Sequence, residues 1–320
     1  VAEFLTIGEP MAVFAAENTD VSLVDASDFQ KYLAGAELNV AIGISRLEHT
    51  TEYISSVGTD PFGQYIMKAV ANSGVGTHYL DSNPDFWTGF YLKQRVSHGD
   101  PSTYYFRKNS AAANFNRHRL DDIDFSNIKI AHLSGIFAAL SQNDLEVLND
   151  LSAQLVEHKI TVTFDPNLRP ALWSSQERMI EVTNELAKQA TIVMPGINEG
   201  EILMGSRNPE DIADFYLNQS ALTETVIVKL GPDGALIKQR DGSQELVSGF
   251  RVEKVVDTVG AGDGFAVGFI SGLLEDKTLR ESVKRGCAIG ALAVMSPGDN
   301  DGYPTPDRLH EFYKQQAALS

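Results

Sequence analysis

Cysteine is nearly absent from this 320-residue chain: Cys287 is the only one. No internal disulfide can form, so a buried core has to hold the fold, and that usage suits a reducing, cytoplasmic setting. Cys287 lies in the apolar run "RGCAIGALAVM" and reads as a small buried hydrophobe. Basic residues are also scarce. Lys and Arg number 26 against 43 Asp and Glu, for a formal net charge of -17. Such a surface argues against nucleic acid and against an anionic membrane as partners, because both need basic patches. An anionic ligand can bind only where local basic groups overcome that field. There is no uninterrupted apolar run of about 18 residues, so no membrane span is expected. The first residues lack the basic-then-apolar order of a secretory leader.

What the chain does have is a regular alternation. "EFLTIG", "TEYISSVG", "IKIAHLSG", "KITVTFDP", "ATIVMPG" and "ETVIVKLG" are buried-strand runs that end in Gly, Pro or Asp. Between them stand "ELNVAIGISRL", "QYIMKAVANSG", "QNDLEVLNDLSAQLVEH" and "ERMIEVTNELAKQ", with helical spacing. Strand-then-helix order predicts a mostly parallel sheet covered by helices, with ligands collected where strands end. Two regions break the pattern. "MAVFAAE" (11–17) and the aromatic-rich 86–108 are strand-like with no helix between them. They are expected to form a small sheet projecting as a lid, the alternative being edge strands of the main sheet. The acidic "AENTDVSLVDASD" is expected as a surface loop beside it. The whole of 1–320 is expected to be one domain carrying that lid.

"DTVGAGDGFAVGFI" (257–270) concentrates the chemistry. Its glycines let several backbone N–H groups point at one spot, and the helix that follows adds its positive end. An acid placed in an anion cradle is costly, which points to a task for Asp263 such as taking a proton from an attacking hydroxyl. A plain N-cap aspartate is the alternative.

The same stretch resembles the C-terminal signature of the ribokinase (PfkB) family of carbohydrate kinases, and other landmarks follow in family order. "GAELNVA" (35–41), "SSVGTDPFG" (55–63), "NEGE" (198–201) and "KLGPDG" (229–234) are similar to the family's substrate motif, its Val-Gly-x-Asp-x-Phe-Gly turn, its Asn-x-x-Glu motif and its Lys-x-Gly-x-x-Gly hairpin. Glu37 is a departure, standing where many members have a small residue. The resemblance implies a ribokinase-like three-layer α/β/α sandwich with a mostly parallel sheet and a small β-sheet lid. It implies ATP and Mg²⁺, with a monovalent cation held around Asp257 and "VMSPGDN". Asp263 is then the base, and the backbone N–H groups of Gly260, Ala261 and Gly262 hold the transferring phosphoryl group. Asn198 and Glu201 organise Mg²⁺ through water, Glu201 being the metal-side acid; a helix start with a solvated glutamate is the alternative. Lys229, Gly231 and Gly234 flank the nucleotide, unless they make only a hairpin. "RGCAIGALA" (285–293) either faces adenine or packs helices closely.

Within the family, "GAELN", "TYYFRK" and "DPNLRP" resemble the 2-keto-3-deoxygluconate kinases. A sugar acid carries a carboxylate that needs a positive partner, and Arg107 and Arg169 supply planar guanidinium forks. Tyr91 and Tyr105 offer hydroxyls and walls, Gly35 allows close approach, and Asn39 bonds hydroxyls. Asp165 and Asn167 fix the loop that presents Arg169. Arg107 as a solvent-facing lid residue and Arg169 in a structural salt bridge are the alternatives. The expected activity is ATP-dependent phosphorylation of the C6 hydroxyl of a sugar acid. A fructokinase or ribokinase-type enzyme and a non-catalytic sugar-binding protein of the same fold stay open. The aromatic strands of 86–108, too short to stand alone, are expected to pack on a second copy as a homo-oligomer.

Overall fold

The computed structural model describes residues 2–99, 101–252, 254–256, 258–296 and 298–318. Asp257 and Pro297, both part of the suggested monovalent-cation loop, lie outside the described residues. The nine-stranded main sheet runs in the order Gln244–Ser248, Gly234–Gln239, Thr225–Lys229, Ile192–Val193, Thr161–Asp165, Ile130–Ser134, Phe4–Ile7, Thr51–Gly58 and Leu80–Asn83. Seven strands are mutually parallel, and the first two of that order add an antiparallel edge. Strands buried on both faces read as continuous apolar runs, yet their period of two still sorts the core. Phe4 and Ile227 belong to one face's core with the helices Ala36–Arg46, Ala261–Leu274 and Leu279–Val294. Leu5, Ile7, Val226 and Val228 belong to the other, against the helices Gln142–Glu157 and Pro209–Gln219.

The smaller sheet has four strands, ordered Phe29–Ala34, Met11–Thr19, Phe90–Arg95 and Thr103–Phe106. It is a separate sheet and not a pair of edge strands. Phe29–Ala34 was not expected. "FQKYLA" is short and lacks a strict polar–apolar alternation, and it becomes a strand by pairing antiparallel with Met11–Thr19. Met11–Thr19 also pairs parallel with Phe90–Arg95, so the small sheet is built around the segment that leaves the first main-sheet strand.

The parallel strands deliver their C-terminal ends to one side of the main sheet. Glu9, Asp165, Gly196 and Lys229 each follow or end such a strand. Two helix N-termini arrive at the same side, those of Ala36–Arg46 and Ala261–Leu274.

Candidate active site

A cleft of about 740 Å³ opens between the strand ends and the small sheet. It brings together Gly35, Asn39, Tyr91, Tyr105, Arg107, Arg169, Asn198, Lys229, Gly231, Gly260, Gly262 and Asp263. Ala261 and Gly234 line a second cavity, about 360 Å³, that shares Lys229, Gly231 and Gly262 with the first. Its other walls include Phe250, Val252, Val255, Phe265, Cys287, Gly290 and Ala291. The helix that carries "RGCAIGALA" packs closely on Ala261–Leu274, and its Cys287, Gly290 and Ala291 line this apolar hollow.

Gly260 is the N-cap of the helix Ala261–Leu274, with φ 79°. A Cβ there would lie 2.0 Å from the Asp299 carbonyl oxygen, so only glycine fits the turn. Asp263 is therefore not an N-cap. It occupies the first helical turn, and its Oδ2 accepts a hydrogen bond from Asn39 Nδ2 at 3.0 Å. Desolvation pushes its carboxyl up to about 7; the Asn39 bond and the Arg169 charge oppose that shift, and Asp165 and Asp299 add to it. Of the three amides assigned to a phosphoryl group, that of Ala261 turns to the Thr258 carbonyl at 3.4 Å. Gly262 is open to the cleft: a Cβ there would meet nothing nearer than Lys229 Nζ at 3.9 Å.

Lys229 Nζ donates to Asp165 Oδ2 at 2.6 Å. Burial alone would lower the ammonium's pKa, yet Asp165 and Glu199 beside it raise it, so it stays charged. Asp165 Oδ1 accepts from the Asn167 N–H at 3.2 Å, and Asn167 holds the left-handed φ of 41° that turns the chain toward Arg169. The expected role of Asp165 and Asn167 in shaping that loop matches this geometry. Arg169 is exposed at the cleft wall, donates to the Leu168 carbonyl, and makes no salt bridge among the described residues.

Arg107 is not a solvent-facing lid residue. It is 8% exposed, and Glu9 Oε2 accepts from its Nε at 2.7 Å and its Nη2 at 2.6 Å. Glu9 Oε1 takes a further bond from Ser110 Oγ at 2.5 Å. Tyr105 lies beneath the guanidinium at 5.7 Å and beside Tyr91 at 4.9 Å. Gly35, the N-cap of Ala36–Arg46, has φ 143°, and a Cβ there would meet the Glu9 carbonyl oxygen at 2.7 Å. Glu37, one residue into that helix from Ala36, is 1% exposed, hydrogen-bonded by Ser134 Oγ, and raised in pKa by desolvation.

One assignment is corrected. Glu201 is not among the cleft-lining residues; its exposed carboxylate pairs at 2.7 Å with Arg207, which sits at the cleft's rim. The acid facing inward is Glu199. Its oxygens accept from the N–H groups of Gly196 at 2.8 Å and Leu168 at 3.2 Å, and burial followed by the Asp165 charge raises its pKa. The helix begins at Ile197 with Gly196 as cap, which puts Glu199 at the third helical position and turns Glu201 away. Glu9, Glu199 and Asn300 were not singled out from the sequence. Glu9 had a signal, an acid directly after a buried strand in "FLTIGE". Among the described residues no group of three or more His, Cys, Asp or Glu is arranged to hold a metal ion.

Residues 2–306 match the family described as pfkB family carbohydrate kinase. The chain is 43% identical over 319 residues to the 2-dehydro-3-deoxygluconokinase of Bacillus subtilis (strain 168), covering 98% of this chain and 96% of that protein. A PfkB protein from Polaromonas sp. JS666 has a solved structure that is similar at a TM-score of 0.86 and 37% identity, over 97% of this chain and 99% of that one. The fructokinase double mutant of Vibrio cholerae O395, solved with fructose, ADP and a potassium ion, is similar at a TM-score of 0.85 and 26% identity, over 97% of this chain and 98% of that one. The three-layer sandwich with its smaller sheet is thus the ribokinase-like fold, and the chain belongs to the pfkB family of carbohydrate kinases.

Proposed function

We propose that this kinase transfers the γ-phosphoryl group of ATP to the C6 hydroxyl of 2-keto-3-deoxygluconate, giving the 6-phosphate and ADP. The observation that carries the reading is Arg169, a guanidinium without a salt bridge among the described residues, on the wall of a cleft whose floor holds Asp263. In an acidic protein that cation is a selective mark for an anionic sugar. The likeness to the Bacillus subtilis enzyme over nearly the whole chain supports the same substrate.

The chemistry follows from positions. Asp263 takes the proton of the C6 hydroxyl, and the oxygen attacks the γ-phosphorus. The bond to the β-phosphate oxygen breaks and ADP leaves. The apolar cavity takes adenine, while Lys229, Gly231 and Gly262, common to both cavities, meet the phosphates. Arg107 and Arg169 orient the sugar carboxylate beside the paired rings of Tyr91 and Tyr105. Catalysis is positioning plus charge neutralisation, so water has to be excluded. The small sheet is the lid that does so. Magnesium fits the donor set only through water: Asp165 is occupied by Lys229 and Glu199 by two amides, which leaves oxygens for hydrated, not direct, ligation. Bound there, it neutralises charge on the phosphates. A monovalent cation near the loop after Val294 belongs to the same reading, supported by the potassium in the Vibrio cholerae structure.

A homo-oligomer formed through the lid completes the proposal, together with a cytoplasmic setting. Tyr104 and Phe106 are 62% and 41% exposed, and Phe106 continues an aromatic row through Phe90, Phe62 and Phe14. A monomer by light scattering at micromolar concentration would remove that part alone. Turnover across a panel of sugar acids and neutral hexoses tests the substrate. Preference for fructose would favour a fructokinase, and absence of turnover with every sugar would favour a binding protein.

A further inference from the structure

Arg46 and Asn39 lie two turns apart on the helix Ala36–Arg46, hence on one face. Asn300, from the loop after Leu279–Val294, spans the gap between them. Arg46 donates to the Asn300 backbone carbonyl and, from Nη2, to Asn300 Oδ1 at 3.4 Å. Asn300 Nδ2 donates to Asn39 Oδ1 at 2.9 Å, and Asn39 Nδ2 donates to Asp263 Oδ2 at 3.0 Å. The chain has only one direction. A guanidinium has donors and no acceptor, so Asn300 Oδ1 must accept; its amide nitrogen then donates, and Asn39 must present its own nitrogen to the carboxylate.

We propose that Asn300, polarised by Arg46, is a positioning residue that locks the Asn39 amide in the orientation that donates to the catalytic base Asp263. This rests on the reading of Asp263 as base. Without Asn300 the Asn39 amide is free to rotate, and the flipped form would set a carbonyl oxygen against the carboxylate. The charged form of Asp263 then loses its donor. Of the other groups facing it, Arg169 and Lys229 favour the charged form, and Asp165 and Asp299 oppose it. The proton-accepting form should therefore appear only at higher pH.

The test is the pH profile of kcat in wild type, Asn300→Ala, Asn300→Asp and Asp263→Asn, with far-ultraviolet circular dichroism to verify folding. Asn300→Asp retains an acceptor for Arg46, so it protects the test if Asn300→Ala fails to fold. Expected is an acid limb moved upward in both Asn300 variants. At pH 6 Asn300→Ala should turn over roughly tenfold more slowly than wild type, and at pH 9 within about twofold of it. Asn300→Asp should shift further, since it adds a charge of the same sign. A loss equal at every pH, or an unmoved limb, would overturn the relay while leaving the base in place. Full turnover by Asp263→Asn would overturn the base, and the relay with it.

Discussion

On the side of the cleft under the small sheet, Glu9, Glu37, Arg107 and Arg169 crowd into one wall. The adjoining cavity is walled by Val252, Val255, Phe265, Cys287, Gly290 and Ala291, and Lys229 is the one charged residue lining it among the described residues. The two ends select differently. Charged walls discriminate by pairing, and a lost partner leaves a charge stranded in low dielectric. Apolar walls discriminate by shape, at modest cost for each altered group. If, as proposed, the charged end takes the sugar and the apolar end the nucleotide, the first should be sharply sensitive to isosteric changes that alter charge, and the second mainly to changes of volume.

The largest effect is expected where the two ends meet. Asp263→Asn keeps shape and loses the proton acceptor, so kcat should fall on the order of 100-fold or more with ATP affinity little changed. Wild-type kcat should itself decline as pH drops through about 7, because burial raises the Asp263 carboxyl to that value and only the ionised form accepts a proton. Stopped-flow or coupled-assay rates across pH 5.5–9 give both results, and a mutant within about threefold of wild type would remove Asp263 from the mechanism.

Next is Arg169→Ala. Charge-assisted hydrogen bonds contribute about 1.5–3 kcal/mol, so kcat/KM for the sugar acid should drop roughly 10- to 100-fold. A neutral ketohexose should lose much less, and Arg169→Lys should recover only part, lacking the planar fork. Equal losses for acid and neutral sugar would make Arg169 a structural residue and erase the contrast between the ends.

Glu9→Gln probes the buried pair. Gln retains an acceptor for Arg107 but no charge, and ligand-free stability should fall by about 2 kcal/mol. Saturating sugar acid should reduce that deficit, because its carboxylate stands in as counter-ion. Denaturant melts with and without ligand read this; a deficit unchanged by the sugar acid would separate Arg107 from substrate binding.

Gly290→Leu is expected to be the mildest. A Cβ at Gly290 meets the Ala261 carbonyl oxygen at 3.3 Å and nothing closer, so a larger side chain intrudes on the hollow. KM for ATP should rise severalfold, by about 1 kcal/mol of lost contact, with KM for the sugar unchanged. If the sugar KM moved instead, the apolar cavity would not be the nucleotide end.

The parts legible in the sequence were the local ones. Six strand runs and four helices fell on the observed elements because their burial patterns repeat within a few residues. The glycine-flanked Asp263 was legible for the same reason, since a helix mouth is a local feature. Phe29–Ala34 was not, because six residues without a strict alternation give no clear period, and its pairing with Met11–Thr19 is what fixes it as a strand. Cys287, Gly290 and Ala291 read as packing or as a binding wall; their helix packs on Ala261–Leu274, and the three residues also line the apolar cavity.

By itself the sequence determined the alternation of strands and helices, and with it the gathering of strand ends, glycines and helix N-termini on one side. Backbone sterics and apolar periodicity act over a few residues and need no distant partner. Tertiary structure alone decided which polar groups meet. Glu9 reaches Arg107 across 98 positions, and Asn300 reaches Asn39 across 261. It also decided that Glu199 and not Glu201 faces the cleft. Two residues along a helix rotate a side chain by about 200°, so the start of the helix at Ile197 sets which acid points inward. Pairing of charges depends on position in space, and position in space is set by the packed core that brings remote segments together.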